Sequence, residues 1–168
     1  MNYLIGSHGT GKSTLLEELK KVRSDLFITD GVSRPVKKCS ERYGLSEEAR
    51  QDIINELTEW NWINSLKQPK YFCTRSVIDS IIYSEAQGFI ELAKKSEEVL
   101  KSTDFKKAKF FYIPIEFELE NDGIRFTDLS FQKKIDEMIL SIFRELEIPM
   151  IKLTGSIEER LQKLLKNI

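Results

Sequence analysis

Residues 2–14 read NYLIGSHGTGKST, and this stretch decides which folds the chain can adopt. A short apolar run comes first, followed by the pattern G-x-x-x-x-G-K-[ST] from Gly6 to Ser13, and then by the amphipathic sequence LLEELKKV. Glycines allow backbone torsions that point successive N–H groups into one concavity, and the start of a helix adds a partial positive charge. The stretch therefore predicts a strand, a phosphate-binding loop and a helix in succession.

We expect this loop to hold the phosphates of ATP, with Mg²⁺ as the accompanying metal ion. Lys12 would reach the β- and γ-phosphates as a mobile cation, and Ser13 would supply a hydroxyl ligand to the metal. His8 either lines the phosphate pocket or points to solvent. The second alternative is compatible with phosphate binding because such loops bind through their backbone. Gly155 either brings the backbone close to a flat base ring or serves only a turn. The predicted ATP-binding residues are Gly6, Ser7, His8, Gly9, Thr10, Gly11, Lys12, Ser13, Thr14 and Gly155.

The composition is that of an ordinary globular chain. Its 168 residues fit one domain, residues 1–168, and 26 basic against 27 acidic side chains leave a net charge of -1. This charge gives no strong attraction to nucleic acid or to an anionic membrane. Two cysteines and one histidine are too few for a disulfide framework or a four-ligand zinc site. No stretch approaches the roughly 18 consecutive apolar residues of a membrane span, so we expect a cytoplasmic protein.

Short apolar runs alternate with longer helical patterns along the whole chain. The candidate strands are residues 2–6, 26–30, 70–74, 109–114 and 150–154. The candidate helices are residues 12–23, 46–66, 76–87, 88–101, 128–146 and 156–167. Strands without polar alternation are typical of a parallel sheet that is buried on both faces, so the pattern predicts an α/β three-layer sandwich. In the helix predicted at 46–66 apolar residues recur at three- and four-residue steps, including Ile53, Leu57, Trp60 and Ile63.

Two polar stretches interrupt this alternation, and we interpret both as functional loops. Residues 31–44 follow the second strand and carry several basic side chains with Pro35, while residues 115–127 follow the fourth strand. The second loop is predicted to close over the triphosphate and to deliver Arg125 as a catalytic cation, excluding water from the reaction. The alternative for residues 115–127 is an ordinary exposed loop.

The acceptor of the phosphoryl group is expected at the carboxyl ends of the strands, where ligands bind in open α/β sheets. Asp30 is either a catalytic base and metal-water ligand or a turn-forming Asp-Gly residue. Arg34 either binds the acceptor or lies on the surface. Arg75 is predicted to bind substrate and to neutralise charge on the transferring group. Asp79 is either catalytic or the ion-pair partner of Arg75, four residues away.

The loop at residues 6–13, the segment TRSVID at 74–79 and the segment NDGIR at 121–125 together resemble those of small P-loop kinases. The chain looks most like the AAA-domain subgroup that is related to the nicotinamide riboside kinase module and to deoxynucleoside and nucleotide kinases. This resemblance implies the P-loop NTPase fold with a five-stranded parallel sheet in the order 2-3-1-4-5, a lid after the fourth strand, and Mg²⁺-ATP as donor.

Carried over by position, the resemblance assigns phosphate and metal binding to Lys12 and Ser13, and the third-strand and lid arginines to Arg75 and Arg125. The chain departs from the family pattern in one respect. Members commonly place an acidic residue just before the third-strand arginine, and this chain has Thr74 there. Either Asp30 or Asp79 therefore takes over that role, or catalysis is weak.

The leading functional prediction is an ATP-dependent phosphotransferase that acts on a nucleoside, nucleotide or similar small metabolite. A second alternative is a kinase for polynucleotides or modified DNA bases, which would use the basic stretch 31–44 as a groove. A third is a regulatory NTP-binding switch without an acceptor. The sequence leaves the oligomeric state open, a homodimer being one alternative. It has no N-K-x-D stretch and no acidic pair closing an apolar strand, which disfavours a GTPase and a motor ATPase.

Overall fold

A parallel sheet of five strands forms the centre of the molecule, with the strands in the order β2-β3-β1-β4-β5. The computed structural model describes residues 1–68, 70–116 and 129–168. The strands are β1 (Asn2–Ile5), β2 (Phe27–Thr29), β3 (Tyr71–Cys73), β4 (Lys109–Tyr112) and β5 (Met150–Lys152). The helices are α1 (Lys12–Val22), α2 (Ser33–Tyr43), α3 (Glu47–Ser65), α4 (Val77–Ala86), α5 (Ile90–Lys101), α6 (Leu129–Glu145) and α7 (Ile157–Leu165), with a short 3-10 turn at Phe105–Lys107.

The strand β1 is the central strand, and it separates two hydrophobic cores. Successive side chains of a strand point to opposite faces of the sheet. Tyr3 and Ile5 accordingly pack on one face against helices α3, α4, α5 and α6, while Leu4 packs on the other face against α1 and α7. All four residues of β1 are buried. The predicted three-layer sandwich and its strand order are confirmed.

The stretch 31–44, predicted as a loop, contains helix α2, so that prediction is wrong. Pro35 stands in the first turn, where a helix needs no backbone N–H from it, and therefore does not prevent helix formation. The helix ends at Gly44, which adopts the left-handed conformation with φ 63° and donates its N–H to the Ser40 carbonyl. Val36 and Ser40 are buried, and the basic side chains Arg34, Lys38 and Arg42 are exposed.

Helix α3 forms as predicted, but it turns a polar face inward. Its buried side chains include Gln51, Asn55 and Thr58, whereas the apolar residues Ile53, Leu57, Trp60 and Ile63 are exposed. The reason is a hydrogen-bonded chain between helices, in which Gln51 donates to Asn55 at 2.7 Å and Asn55 donates to Ser84 of α4 at 2.8 Å. Because each buried amide has a partner, the polar face is stable against α4.

The two tryptophans of α3 test this orientation. Trp62 is 1 % exposed and donates its ring N–H to Thr103 at 3.0 Å, while Trp60 is 65 % exposed. Trp62→Ala should lower the free energy of unfolding by about 3–5 kcal/mol, because it opens a cavity in the core. The matched variant Trp60→Ala should change it by about 0.5 kcal/mol or less. Urea unfolding measures both values, and similar losses in the two variants would contradict this orientation.

Candidate active site

The loop between β1 and α1 has the geometry that its glycines were predicted to allow. Gly6 has φ +146°, and a Cβ at this residue would collide with the backbone oxygen of Ile113. Gly11 has φ +90° and immediately precedes the first residue of α1. The ammonium of Lys12 donates to the carbonyls of Gly6 at 2.7 Å and Ser7 at 2.6 Å. The loop therefore curves tightly around its own lysine at the amino end of a helix.

A buried arginine that the motif search missed supports this loop from α7. Arg160, which is 3 % exposed, donates to the Thr10 carbonyl at 3.0 Å and to the Glu116 carboxylate at 2.7 Å. The same carboxylate accepts the backbone N–H of Gly155 at 3.0 Å. The charged hydrogen bond from Arg160, against a small desolvation cost, holds the pKa of Glu116 below its usual value. One ion pair thus joins the loop to the segments that follow β4 and β5.

Helix α6 contacts the loop at His8. The side chain of Gln132 donates to the His8 carbonyl at 2.8 Å, and the ring of Phe131 lies 5.9 Å from the imidazole ring. His8 and Phe131 both line the cleft beside the loop. The structure therefore places His8 on the cleft wall, with Gln132 bonded to its backbone carbonyl, and a role of His8 in phosphate binding stays a prediction.

Asp30 lies at the carboxyl edge of the sheet, close to the predicted metal ligand. Its Oδ1 accepts hydrogen bonds from the Thr74 hydroxyl at 2.7 Å and from the Gly31 N–H at 2.7 Å, and it lies 3.4 Å from the Ser13 hydroxyl. Partial burial alone raises the pKa of Asp30, but these hydrogen bonds and the charge of Arg34 outweigh it and lower the net pKa. The carboxylate is therefore held ionised and in a fixed position.

Arg75 points into the same cleft. Its guanidinium lies 4.5 Å from the ring centroid of Tyr83, a cation–π distance, and 3.5 Å from the Ser33 hydroxyl at the start of α2. Asp79 takes a different part: its carboxylate accepts the backbone N–H of Ser76 at 2.8 Å and the Ser76 hydroxyl at 3.0 Å, capping α4. This geometry does not favour the catalytic role of Asp79, which stays a prediction. Among the residues that the structure describes, no ion pair links Asp79 to Arg75.

The cleft extends from the loop to α2 and α3. Its described lining residues are His8, Gly9, Gly11, Lys12, Ser13, Asp30, Gly31, Ser33, Arg34, Lys37, Arg50, Gln51, Ile54, Thr74, Arg75, Tyr83, Gln87 and Phe131. Lys12, Ser13, Asp30, Arg34 and Arg75, all predicted from the sequence, therefore share one cavity. Lys37 was predicted only as part of the basic stretch 31–44 that a polynucleotide would use. Arg50 and Gln51 were missed as site residues because they lie on α3, whose orientation the sequence pattern did not give.

Two further predictions have different outcomes. Gly155 has φ +87° just before the cap of α7, and Ser156 and Glu159 form a capping box there. The turn role of Gly155 is thus visible, and its place beside a base ring stays a prediction. Arg125 and residues 117–127 of the predicted lid lie outside the described residues.

A family model described as an AAA domain, AAA_28, matches residues 2–160. The chain belongs to this family. Deoxyadenosine kinase from M. mycoides is similar in structure: the form with dCMP and a flexible dCDP has a TM-score of 0.65 and 9 % identity, covering 98 % of this chain and 96 % of that chain. The form with dCTP has a TM-score of 0.65 and 10 % identity over 99 % and 97 %.

Thymidylate kinase from Ehrlichia chaffeensis is similar as well, with a TM-score of 0.62 and 17 % identity over 98 % of this chain and 96 % of that chain. No curated protein matches the sequence. These likenesses agree with the fold that the strand order of the sheet indicates.

In the part of the chain that the structure describes, no helix has the length and apolar character needed to cross a membrane. In the same residues, no group of three His, Cys, Asp or Glu side chains is placed to hold a metal ion.

A double-mutant cycle tests the ion pair between Arg160 and Glu116. Replacing either residue by alanine leaves the other charge without its partner, so the free energies of unfolding should be non-additive by about 1 kcal/mol or more. The surface pair Lys94–Glu91, in which the side chains are 60 % and 80 % exposed, is the control and should show additive effects. Additive losses for Arg160→Ala and Glu116→Ala would contradict the support assigned to this pair.

Proposed function

We propose that the chain is a phosphotransferase that uses Mg²⁺-ATP to phosphorylate a small nucleoside- or nucleotide-like acceptor. One observation carries this proposal: a phosphate-binding loop and a wall of cationic side chains line the same cleft. A hydrolase or a switch needs the loop, a metal ion and a group that orients water, but it needs no surface for a second substrate. A kinase needs a second binding surface next to it, because the acceptor has to meet the terminal phosphate in line.

The loop would bind the triphosphate through its backbone N–H groups and through the amino end of α1. The ammonium of Lys12 donates to the carbonyls of Gly6 and Ser7, and from this place over the loop it would reach the phosphates. Arg75 lies across the cleft, with its guanidinium packed on the Tyr83 ring. Together the two cations would stabilise the negative charge that spreads over the transferring group.

The residues present suit a magnesium ion. Ser13 and Asp30 place a hydroxyl and an ionised carboxylate 3.4 Å apart on the cleft surface. Oxygen donors of this kind, few in number and completed by substrate phosphates and water, are typical of magnesium sites in kinases. When bound, Mg²⁺ would neutralise charge on the β- and γ-phosphates. Thr74 fixes the Asp30 carboxylate by a hydrogen bond of 2.7 Å, which gives the residue in this position a supporting role.

The structural relatives support the same chemistry. The similar structures are a deoxyadenosine kinase and a thymidylate kinase, and the former holds dCMP with dCDP in one case and dCTP in the other. The net charge of -1 and the position of Arg34 and Lys37 on the cleft wall favour a small acceptor over a polynucleotide.

The variant Lys12→Ala tests the proposal. Loss of the loop cation should reduce acceptor-dependent ADP release at least about a hundredfold, because a charge aimed at the transition state is removed. The matched control is Lys20→Ala on the solvent side of the same helix, where Lys20 contacts Glu17 at 3.0 Å, and it should retain normal turnover. ADP release that needs no acceptor, or that responds only to DNA, would contradict the proposed function in favour of a switch or a polynucleotide kinase.

A further inference from the structure

The acceptor side of the cleft carries an excess of positive charge. Among the described lining residues, Asp30 is the acidic one, and the cations are Lys12, Arg34, Lys37, Arg50 and Arg75. Lys12 belongs to the phosphate loop. The other four cations come from α2, from α3 and from the residue two positions after the end of β3, and they surround the space next to the loop. A cleft wall with this many cations suits an acceptor that carries a phosphate better than one made only of a neutral sugar and base.

Two of these cations have carboxylate partners on their own helices. Arg50 forms an ion pair with Glu47, and Lys37 lies 3.9 Å from Glu41. Neither glutamate is among the residues that line the cleft. Burial lowers the pKa of the Arg50 guanidinium, and the charge of Glu41 only partly opposes this effect. An anion inside the cleft would therefore stabilise the charged form of Arg50.

The described part of the cleft also lacks a carboxylate suited to remove a proton. The Asp30 carboxylate accepts hydrogen bonds from Thr74 and Gly31 and lies 3.4 Å from the Ser13 hydroxyl, so it is already engaged beside the phosphate loop. Asp79 is occupied by the cap of α4. Asp136, whose pKa is raised by burial, accepts the Tyr112 hydroxyl at 2.7 Å and is not a lining residue. A hydroxyl acceptor needs a base, and the described lining offers no good one.

We propose that the acceptor carries a phosphate monoester of its own, as a nucleoside 5′-monophosphate does; this inference rests on the proposed function. An oxygen of that monoester attacks the γ-phosphorus of ATP and forms a new P–O bond. The bond between the γ-phosphorus and the bridging oxygen breaks, ADP leaves with the electron pair, and the acceptor becomes a diphosphate. The second ionisation of a phosphate monoester has a pKa of about 6, so the attacking oxygen has no proton to lose at pH 7.

Both features of the cleft follow from such an acceptor. The phosphate supplies the negative charge that Arg34, Lys37 and Arg50 would bind, and its ionised oxygen removes the need for the base that Thr74 replaces in the sequence. The rest of the wall is apolar or uncharged, formed by Ile54, Tyr83, Phe131, Gln51 and Gln87, and has the character expected for the organic part of the acceptor.

A substrate comparison tests the inference. ADP release and product formation are measured with each common nucleoside and with its own 5′-monophosphate, and with nicotinamide riboside and its mononucleotide. We expect at least one monophosphate to be converted to the diphosphate, with kcat/KM at least about tenfold above that of the matching nucleoside. Preference for the nucleosides would overturn the inference and leave the proposed function standing. No turnover with either class would overturn both.

Two neighbouring lysines of α2 locate the phosphate subsite. Lys37 lines the cleft, whereas Lys38 is exposed and outside the lining. Lys37→Gln should raise KM for the monophosphate about tenfold or more and leave KM for ATP unchanged, because one charged hydrogen bond to the acceptor is lost. Lys38→Gln removes the same charge and should leave both constants unchanged. The assignment of the phosphate subsite would be overturned if Lys37→Gln and Lys38→Gln had equal KM values for the monophosphate and Arg50→Gln had the KM of the unchanged protein.

Discussion

The backbone of the loop at residues 6–13 is the constraint on which the rest of the structure depends. Gly6 follows the central strand directly, and its conformation, φ +146°, brings the backbone against Ile113 where no side chain fits. The chain can then turn sharply into α1, whose amino end faces the concavity. Because β1 lies in the middle of the sheet and is buried on both faces, this turn is fixed relative to every other strand end.

The parallel sheet brings the second half of the site to the same edge. Strand β3 lies next to β1, and β2 lies next to β3, so Asp30 and Arg75 line the same cleft as the loop although they are 45 positions apart in sequence. Helices α2 and α3 then extend the cleft away from the sheet with Arg34, Lys37 and Arg50. The donor half of the site thus depends on backbone geometry, and the acceptor half depends on charged side chains supplied by helices.

The sequence predicted those parts of the structure that local chemistry determines. The loop follows from a specific motif, and the place of Asp30 and Arg75 follows from the rule that parallel strands end at one edge. The strand order was implied by the resemblance to small P-loop kinases. The ion pair of Arg160 with Glu116 could not be predicted, because its partners are 44 residues apart and meet only after folding. The inward polar face of α3 depends on Ser84 of another helix, so its apolar spacing gave the helix but not its orientation.

The sequence also does not tell whether a charged residue near a site motif has a structural or a catalytic role. Asp79 was a candidate catalytic residue, and the structure shows that its carboxylate caps the first turn of α4. Helix α2 was concealed by a proline and a run of basic residues, which are compatible with a first helical turn and with a charged cleft wall. In both cases the backbone N–H groups of a first helical turn decide the outcome, because these groups have no partner within the helix. Which side chains lie near them becomes visible only in three dimensions.

The central claim is that the loop binds phosphate oxygens through its main-chain N–H groups and one lysine. A crystal structure of the chain with Mg²⁺ and a non-hydrolysable ATP analogue tests it most directly. The account predicts the β-phosphate at about 3 Å from the backbone nitrogens of residues 9–13, with the ammonium of Lys12 on the β- and γ-phosphates. A triphosphate bound elsewhere, with this loop making no contact to it, would contradict the account.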